Sequence, residues 1–323
     1  MSEDITKLAV EPDETSHGTH GMDRRGFLHC MAWAGTGVVW TAAGGVLSSA
    51  RLGEAAQTPG AGSFSFVQIS DTHIGFRGEA NRDAMGTLGE AIARINALEV
   101  APDFLIHTGD ITHAQKAGAF DTVTEALKGA KVSRVFYVPG ENDVFEDGGK
   151  EYLGRYGVGP AHTGWQSFDY KGVHFVGLVN VLHYKAGGLG SLGTEQIEWL
   201  EKDVSGLGSS TPIVVFAHVP LWAVYPQWGW VTADASQALG YLKRFGSVTV
   251  LNGHIHQVMQ KVEGNIAFHS ALSTAFPQPK PGMAEGPGPL KVPVEQLRGM
   301  LGVRQVNYVQ GQGRLAVIDV PLA

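Results

Sequence analysis

The chain has 323 residues, 43% of them apolar, with 17% charged residues and a formal net charge of -7, so it can bury a large core and a disordered polyelectrolyte is excluded. Its 24 Lys and Arg are scattered without a basic run, which leaves a nucleic-acid backbone without counter-charge; nucleic acid is not an expected partner. The 44 glycines often follow short apolar runs, the places where tight turns need positive φ, and this suits a loop-rich site on a strand scaffold.

In chain order, the first signal is Asp23-Arg24-Arg25-Gly26-Phe27-Leu28, followed by an uncharged stretch of small and apolar residues over 31–47. This resembles a twin-arginine export signal. The stretch is shorter than the ~20 apolar residues that span a bilayer and is rich in Gly and Ala, so no stable membrane anchor is expected. Small residues at Ser48 and Ala50, or at Gly53 and Ala55, each suit a signal peptidase. The expected division is a signal and linker over 1–56 and one domain over 57–323. The resemblance implies the twin-arginine machinery as a partner, a periplasmic or secreted location, and cargo that often loads a cofactor before crossing. Cys30 is the one cysteine and lies inside the signal, so a mature chain has no thiol for redox, nucleophilic or metal chemistry.

Beyond residue 60, short apolar runs alternate with amphipathic ones. The spacing predicts a strand over 64–70, a helix over 82–98, a strand over 104–108, a helix from about 120 to 127, and a strand over 135–138. Such a βαβαβ start implies right-handed crossovers, a mainly parallel sheet and a ligand site at the strands' carboxyl ends. A hairpin is expected over 167–170 and 173–179, then a helix over 194–204 and strands over 213–217, 248–251 and 266–270. The segment 276–293 is too rich in Pro and Gly for a regular element, and a last strand over 314–320 closes a sheet. The expected class is α/β, with two packed mixed β-sheets flanked by helices.

Each expected strand exit carries a metal-capable side chain: Asp71-Thr72-His73, Gly109-Asp110, Gly140-Glu141-Asn142-Asp143, His218, and Gly253-His254-Ile255-His256. Any one of these is a weak motif, since an Asp or His beside Gly is usually a turn residue. Five in succession, each after an apolar run, form a specific pattern. Two cations about 3.5–4 Å apart need a bridging carboxylate with oxygen and imidazole donors completing each shell. That donor set suits Fe, Mn or Zn. Imidazoles at i and i+2, as in His254 and His256, can diverge from one turn to serve two ions.

The ordered set resembles the signature of calcineurin-like metallophosphoesterases, D-x-H, G-D, G-N-H-D/E, H, G-H-x-H, over residues 64–270. The resemblance implies a four-layer αββα sandwich and hydrolysis of a small phosphate mono- or diester by a hydroxide bridging two metal ions. It implies Asp71, His73 and His256 on one metal, Asp110 as the bridge, and His218, His254 and Glu141 on the other. The chain departs from the family at G-E-N-D. Glu141 still offers oxygen ligands, but Asn142 stands where the family His is thought to protonate the leaving oxygen, and an amide is no acid near neutral pH. A catalytically weakened or non-catalytic metal-binding protein of the same fold is therefore the alternative. His113, three residues after Asp110, can replace the missing donor; it sits where related purple acid phosphatases carry a ligating Tyr, so a ligand role and a supporting role both stay open. His107 reads as a buried, hydrogen-bonded histidine, and His162, His174, His183 and His269 as structural. The aromatics of 220–230 can wall the organic part of a substrate or pack in the core. Asn252 is placed to steady the His254 turn. No H-x-H-x-D-H block and no glycine-rich dinucleotide turn is present, which sets aside metallo-β-lactamase-like and nicotinamide or flavin chemistry.

Overall fold

Strand β3 (Phe64–Ile69) is buried on both faces, which explains its nearly unbroken apolar run. Phe64 and Phe66 point into the space between two sheets, whereas Val67 and Ile69 pack outward against helices. Parallel pairing joins β3 to β4 (Phe104–His107) and β4 to β5 (Val135–Tyr137). On its other edge β3 pairs antiparallel with β12 (Gly302–Tyr308), which pairs antiparallel with β13 (Ala316–Pro321). The five-stranded order is β13-β12-β3-β4-β5.

The second sheet has six strands in the order β10-β11-β9-β8-β7-β6. Its members are β6 (Gln166–Tyr170), β7 (Val173–Gly177), β8 (Ile213–Phe216), β9 (Val248–Asn252), β10 (Met259–Glu263) and β11 (Ile266–Ser270). The central strands β7, β8, β9 and β11 run parallel, and the edges β6 and β10 are antiparallel. Between the sheets lies an aromatic core in which Phe66 stacks on Phe104 at 5.1 Å and meets Phe175 edge-on at 5.5 Å.

Helices α1 (Ala84–Asn96) and α2 (Ala119–Leu127) cover the outer face of the five-stranded sheet through Leu88, Ile92, Ile95, Phe120 and Val123. The Asp83 carboxylate caps α1 by accepting from the Gly86 N–H at 2.8 Å. A short helix α3 (Lys150–Tyr156) adds Tyr152 to the same layer. On the far side, α4 (Thr194–Ser205) and α5 (Ala235–Leu242) cover the six-stranded sheet. The arrangement is a four-layer αββα sandwich.

The computed structural model describes residues 62–184 and 188–323, plus the backbone of a hairpin, β1 (Val38–Ala43) with β2 (Val46–Arg51). Apart from that hairpin backbone, the export signal expected over 1–56 and the boundary at 57 lie outside the described residues. Residues Pro59–Ala323 form one compact unit. No helix among the described residues is long and apolar enough to cross a membrane.

Several regular elements went unforeseen in the sequence. Helices α3 and α5 each carry a glycine, Gly154 and Gly240, that weakens the helical pattern. Strand β10 is a polar edge with Val262 61% exposed. Strand β12 hides a buried Arg304 among its apolar residues. The Pro- and Gly-rich segment 276–293 has no regular element, as its composition requires, and a final short helix α6 (Val294–Leu297) follows it.

Candidate metal centre

The carboxyl ends of β3, β4, β8 and β9 converge, and the loops leaving them carry the clustered side chains. Asp71, His73, Asp110, His254 and His256 all have φ between 40° and 69°, in the left-handed region that non-glycine residues seldom occupy. Sharp turns at these positions point these alternate side chains into one space. Backbone hydrogen bonds lock the turns: Asp71 N–H donates to Gly109 O at 2.9 Å and His73 N–H to Asp110 O at 2.9 Å. Gly109, at φ 94°, packs so closely that a Cβ would lie 2.6 Å from both the Gly140 nitrogen and the His218 ring.

Two three-residue groups form, Asp71 with His73 and His256, and Glu141 with His218 and His254; Asp71, Asp110 and His218 make a third group linking them. His256 Nε2 lies 3.2 Å from Asp71 Oδ1 and 3.4 Å from His73 Nε2. Glu141 reaches His218 Nε2 at 2.8 Å and His254 Nδ1 at 3.1 Å. Asp110 stands between the groups, with Oδ2 3.4 Å from His73 Nε2 and Oδ1 3.7 Å from His218 Nε2. All seven residues expected as ligands are therefore together.

Hydrogen bonds outside the cluster fix the imidazole tautomers. His218 Nδ1–H donates to Thr108 O at 2.7 Å and His256 Nδ1–H to Phe276 O at 2.6 Å, so each presents its Nε2 inward. His254 Nε2 is buried with no hydrogen-bond partner. Asn252 Nδ2–H donates to Gly253 O at 2.8 Å, steadying the turn before His254 as expected. His107 is buried too: its Nδ1 accepts from the Gly109 N–H at 3.2 Å, so Nε2–H faces the Thr72 hydroxyl at 3.1 Å. Burial drives His107 down to about 3.

The electrostatics of these groups are opposed. Burial raises carboxyl pKa values, yet His256, His218 and His73 hold Asp71 well below the carboxylate range, and His254 and His218 do the same for Glu141. Asp110 goes the other way, raised by burial and by the charges of Glu141, Asp143 and Asp71. Burial opposes protonation of His218, but Asp110, Glu141 and Asp71 raise it well above the ordinary value. Burial and neighbouring His256 lower His73. Imidazole nitrogens facing one another at 3.3–3.4 Å among buried carboxylates share space that a cation satisfies better than protons do. Among the described residues lining the adjoining cavity there is no Lys or Arg. The donors are nitrogen and oxygen only, so the residues fit a divalent metal centre.

The cavity, about 300 Å³, opens on this cluster. Trp228 and Trp230 from the aromatic stretch line it, whereas Trp222 packs on the core beneath the six-stranded sheet. Phe145, Tyr184 and Phe276 also line it, as do Gln278 and Pro287–Pro289. No local motif marked these, because they enter from separate loops. His113 is half-buried on the cavity wall with Nδ1 3.3 Å from His73 Nδ1, outside the three clustered groups.

Asn142 donates into Asp110 from both its backbone N–H and its side-chain amide, each at 2.8 Å. Asp143 is the residue of this block that sequence reasoning left without a role. Its buried carboxylate accepts from the N–H groups of Gly140, Ile111 and Thr112 at 2.8–3.0 Å, tying the loop after β5 to the loop after β4. Among the other histidines set down as structural, His174 is held between Asp169 at 2.8 Å and Asp203 at 2.9 Å.

The calcineurin-like phosphoesterase family model matches residues 64–258. A probable cyclic nucleotide phosphodiesterase of Rhodococcus erythropolis is 25% identical over 252 residues, covering 75% of this chain and 78% of the relative. A probable glycerophosphodiester phosphodiesterase of Arcobacter nitrofigilis is 30% identical over 160 residues, covering 48% and 57%. Among solved structures, a dimetal phosphatase of Danio rerio superposes with TM-score 0.63 at 14% identity, covering 80% of this chain and 96% of that one. A purple acid phosphatase of yellow lupin gives TM-score 0.56 at 13% identity, covering 80% and 52%. These likenesses support the same fold.

Proposed function

The chain belongs to the calcineurin-like phosphoesterase family and is a metal-dependent phosphoesterase, and from that premise we propose that it hydrolyses a small phosphate mono- or diester at a two-metal centre. The observation that carries this reading is the pair of three-ligand groups joined through Asp110. Asp71, His73 and His256 would hold one ion, His218, His254 and Glu141 the other, with Asp110 shared. When bound, the ions would supply Lewis acidity toward the phosphoryl oxygens and would lower the pKa of water, making hydroxide available as the nucleophile.

The chain's own residues do the rest. The Thr108 and Phe276 carbonyls keep His218 and His256 in their inward tautomers. Trp228, Trp230, Tyr184 and Phe276 shield the reacting end and offer a flat apolar surface to the ester's organic group. His113, on the cavity wall, is the imidazole proposed to hand a proton to the leaving oxygen. The native metals are proposed to be Fe, Mn or Zn, and the location periplasmic or secreted through the twin-arginine route.

The test is turnover of p-nitrophenyl phosphate and its bis-ester after loading with Mn, Fe or Zn, set beside metal analysis. Two metals per chain with turnover is the expected result. Metal uptake without turnover of any ester would instead favour the non-catalytic reading that Asn142 suggests.

A further inference from the structure

Resting on the two-metal reading above, we infer that Asn142 is the positioning residue of the bridging carboxylate rather than a weakened substitute for a proton donor. The two oxygens of Asp110 face different metal groups, Oδ1 toward His218 and Oδ2 toward His73. Asn142 meets each with its own donor: the backbone N–H holds Oδ1 and the side-chain amide holds Oδ2, both at 2.8 Å. The orientation of the amide follows from a third contact. Asn142 Oδ1 accepts from the Ala114 N–H at 3.3 Å, and since that partner can only donate, the NH₂ end must face Asp110. The loop leaves no slack, because a Cβ on Gly140 would fall 2.1 Å from Asp110 Oδ1. Two more bonds seat Asn142 itself, from the Gln115 N–H and the Thr112 hydroxyl to its carbonyl oxygen at 3.1 and 3.3 Å.

The chemistry favours Asn at this place over its near neighbours. A carboxylate used by two cations keeps both oxygens available only if its plane is fixed, and donors on both oxygens fix it while supporting its negative charge. Aspartate at 142 would set an acceptor against an acceptor. Alanine would leave the Oδ2 side unheld. An amide, with an N–H for Asp110 Oδ2 and a carbonyl oxygen for the Ala114 N–H, satisfies both together. One of the amide's two hydrogens is thereby committed to Asp110 Oδ2.

The test uses the full chain and Mn²⁺, read by binding isotherm and by electron paramagnetic resonance, in which two ions sharing a carboxylate show an exchange-coupled signal. Asn142→Ala is expected to weaken Mn²⁺ binding roughly 10–100-fold, as removal of an outer hydrogen-bond partner does, and to reduce the coupled signal. Asn142→Asp keeps the size and the acceptor for Ala114, so it tests the clamp where folding is least disturbed, and it is expected to lose more. In the residual activity of both variants the ratio of alkyl-ester to aryl-ester turnover stays at the wild-type value. Wild-type affinity and coupling in both variants, or a selective loss of alkyl-ester turnover with metals intact, overturns the inference and returns Asn142 to the leaving group. A wild-type chain that takes up no pair of Mn²⁺ ions overturns the two-metal reading and the clamp with it.

Discussion

At the residue scale, the centre is a set of turns that would be strained in isolation. Five proposed ligands lie at positive φ, each costing of order 1–3 kcal/mol outside a fold that demands it. The surrounding hydrogen bonds meet that demand, for example the His254 N–H donating to both oxygens of Asp71 at 3.2 Å. Asp110→Asn should lower metal content at both positions by more than the roughly 10–100-fold typical of an outer-shell change, because a neutral amide bridges two cations poorly. Metal analysis after dialysis checks this, and two tightly held metals would remove Asp110 from the bridge. His256→Ala and His254→Ala should each release mainly one ion, since they belong to separate groups. Equal partial loss of both ions in each variant would count against the division.

At the element scale, what matters is how loops from different strands are tied together and how the strand edges are held. Asp143 joins the loops after β4 and β5 through the N–H groups of Ile111, Thr112 and Gly140, and burial keeps its pKa up near about 6 despite those bonds. At the β6 and β7 edge, His174 links its own hairpin to α4 through Asp169 and Asp203. Burial disfavours its charge, but the two carboxylates raise its pKa above the ordinary 6.5. A folded pKa raised in this way adds stability that is fully present below the unfolded value and is lost as pH rises through the folded one. His174→Gln should therefore lower the melting temperature most below about pH 6.5, with the gap closing as pH rises past the raised value. A gap of constant size across that range in thermal melts would mean that packing, not charge, is what the variant removes. Asp169 is largely exposed, so salt should weaken its share of the effect.

For the whole molecule, the inter-sheet layer changes character along the strands. Its lower part is aromatic, with Phe66, Phe104 and Phe175. Toward the site it becomes polar: Gln68 donates to the Thr108 hydroxyl at 2.9 Å and to Asn252 O at 3.2 Å, and Arg304 to Ser270 O at 2.7 Å. The two sheets are thus joined by packing below and by hydrogen bonds directly beneath the cluster. Phe175→Ala should cost about 3–5 kcal/mol, seen as a lower urea midpoint, because it empties a closely packed aromatic site. Metal stoichiometry of the folded fraction should stay at the wild-type value; a fall in stoichiometry would show that the aromatic layer also sets the ligand geometry. For the precursor, replacing Arg24 and Arg25 with Lys is expected to leave it in the cytoplasm. Cell fractionation that finds normal export would point to another route.

The ligand set was legible in the sequence because each chemical group follows a short apolar run that forms a strand, so Asp71, Asp110, Glu141, His218 and His254 announce strand exits. The core strands and main helices were legible for the same reason of period. What required the tertiary structure were contacts between loops far apart in the chain. Asn142 reads in sequence as a lost acid, and only the loop folded against Asp110 gives its amide two carboxylate oxygens to hold. Tyr184, Phe276 and Gln278 line the cavity without any motif. Strand β12 stayed hidden because Arg304 breaks its apolar pattern, a break permitted only where Asp319, Gln68 and Ser270 meet the guanidinium. Local periodicity decides which segments are buried, since burial is a property of each strand or helix by itself. Pairwise hydrogen bonding across loops decides what a polar residue does, and sequence distance carries no information about which loops meet.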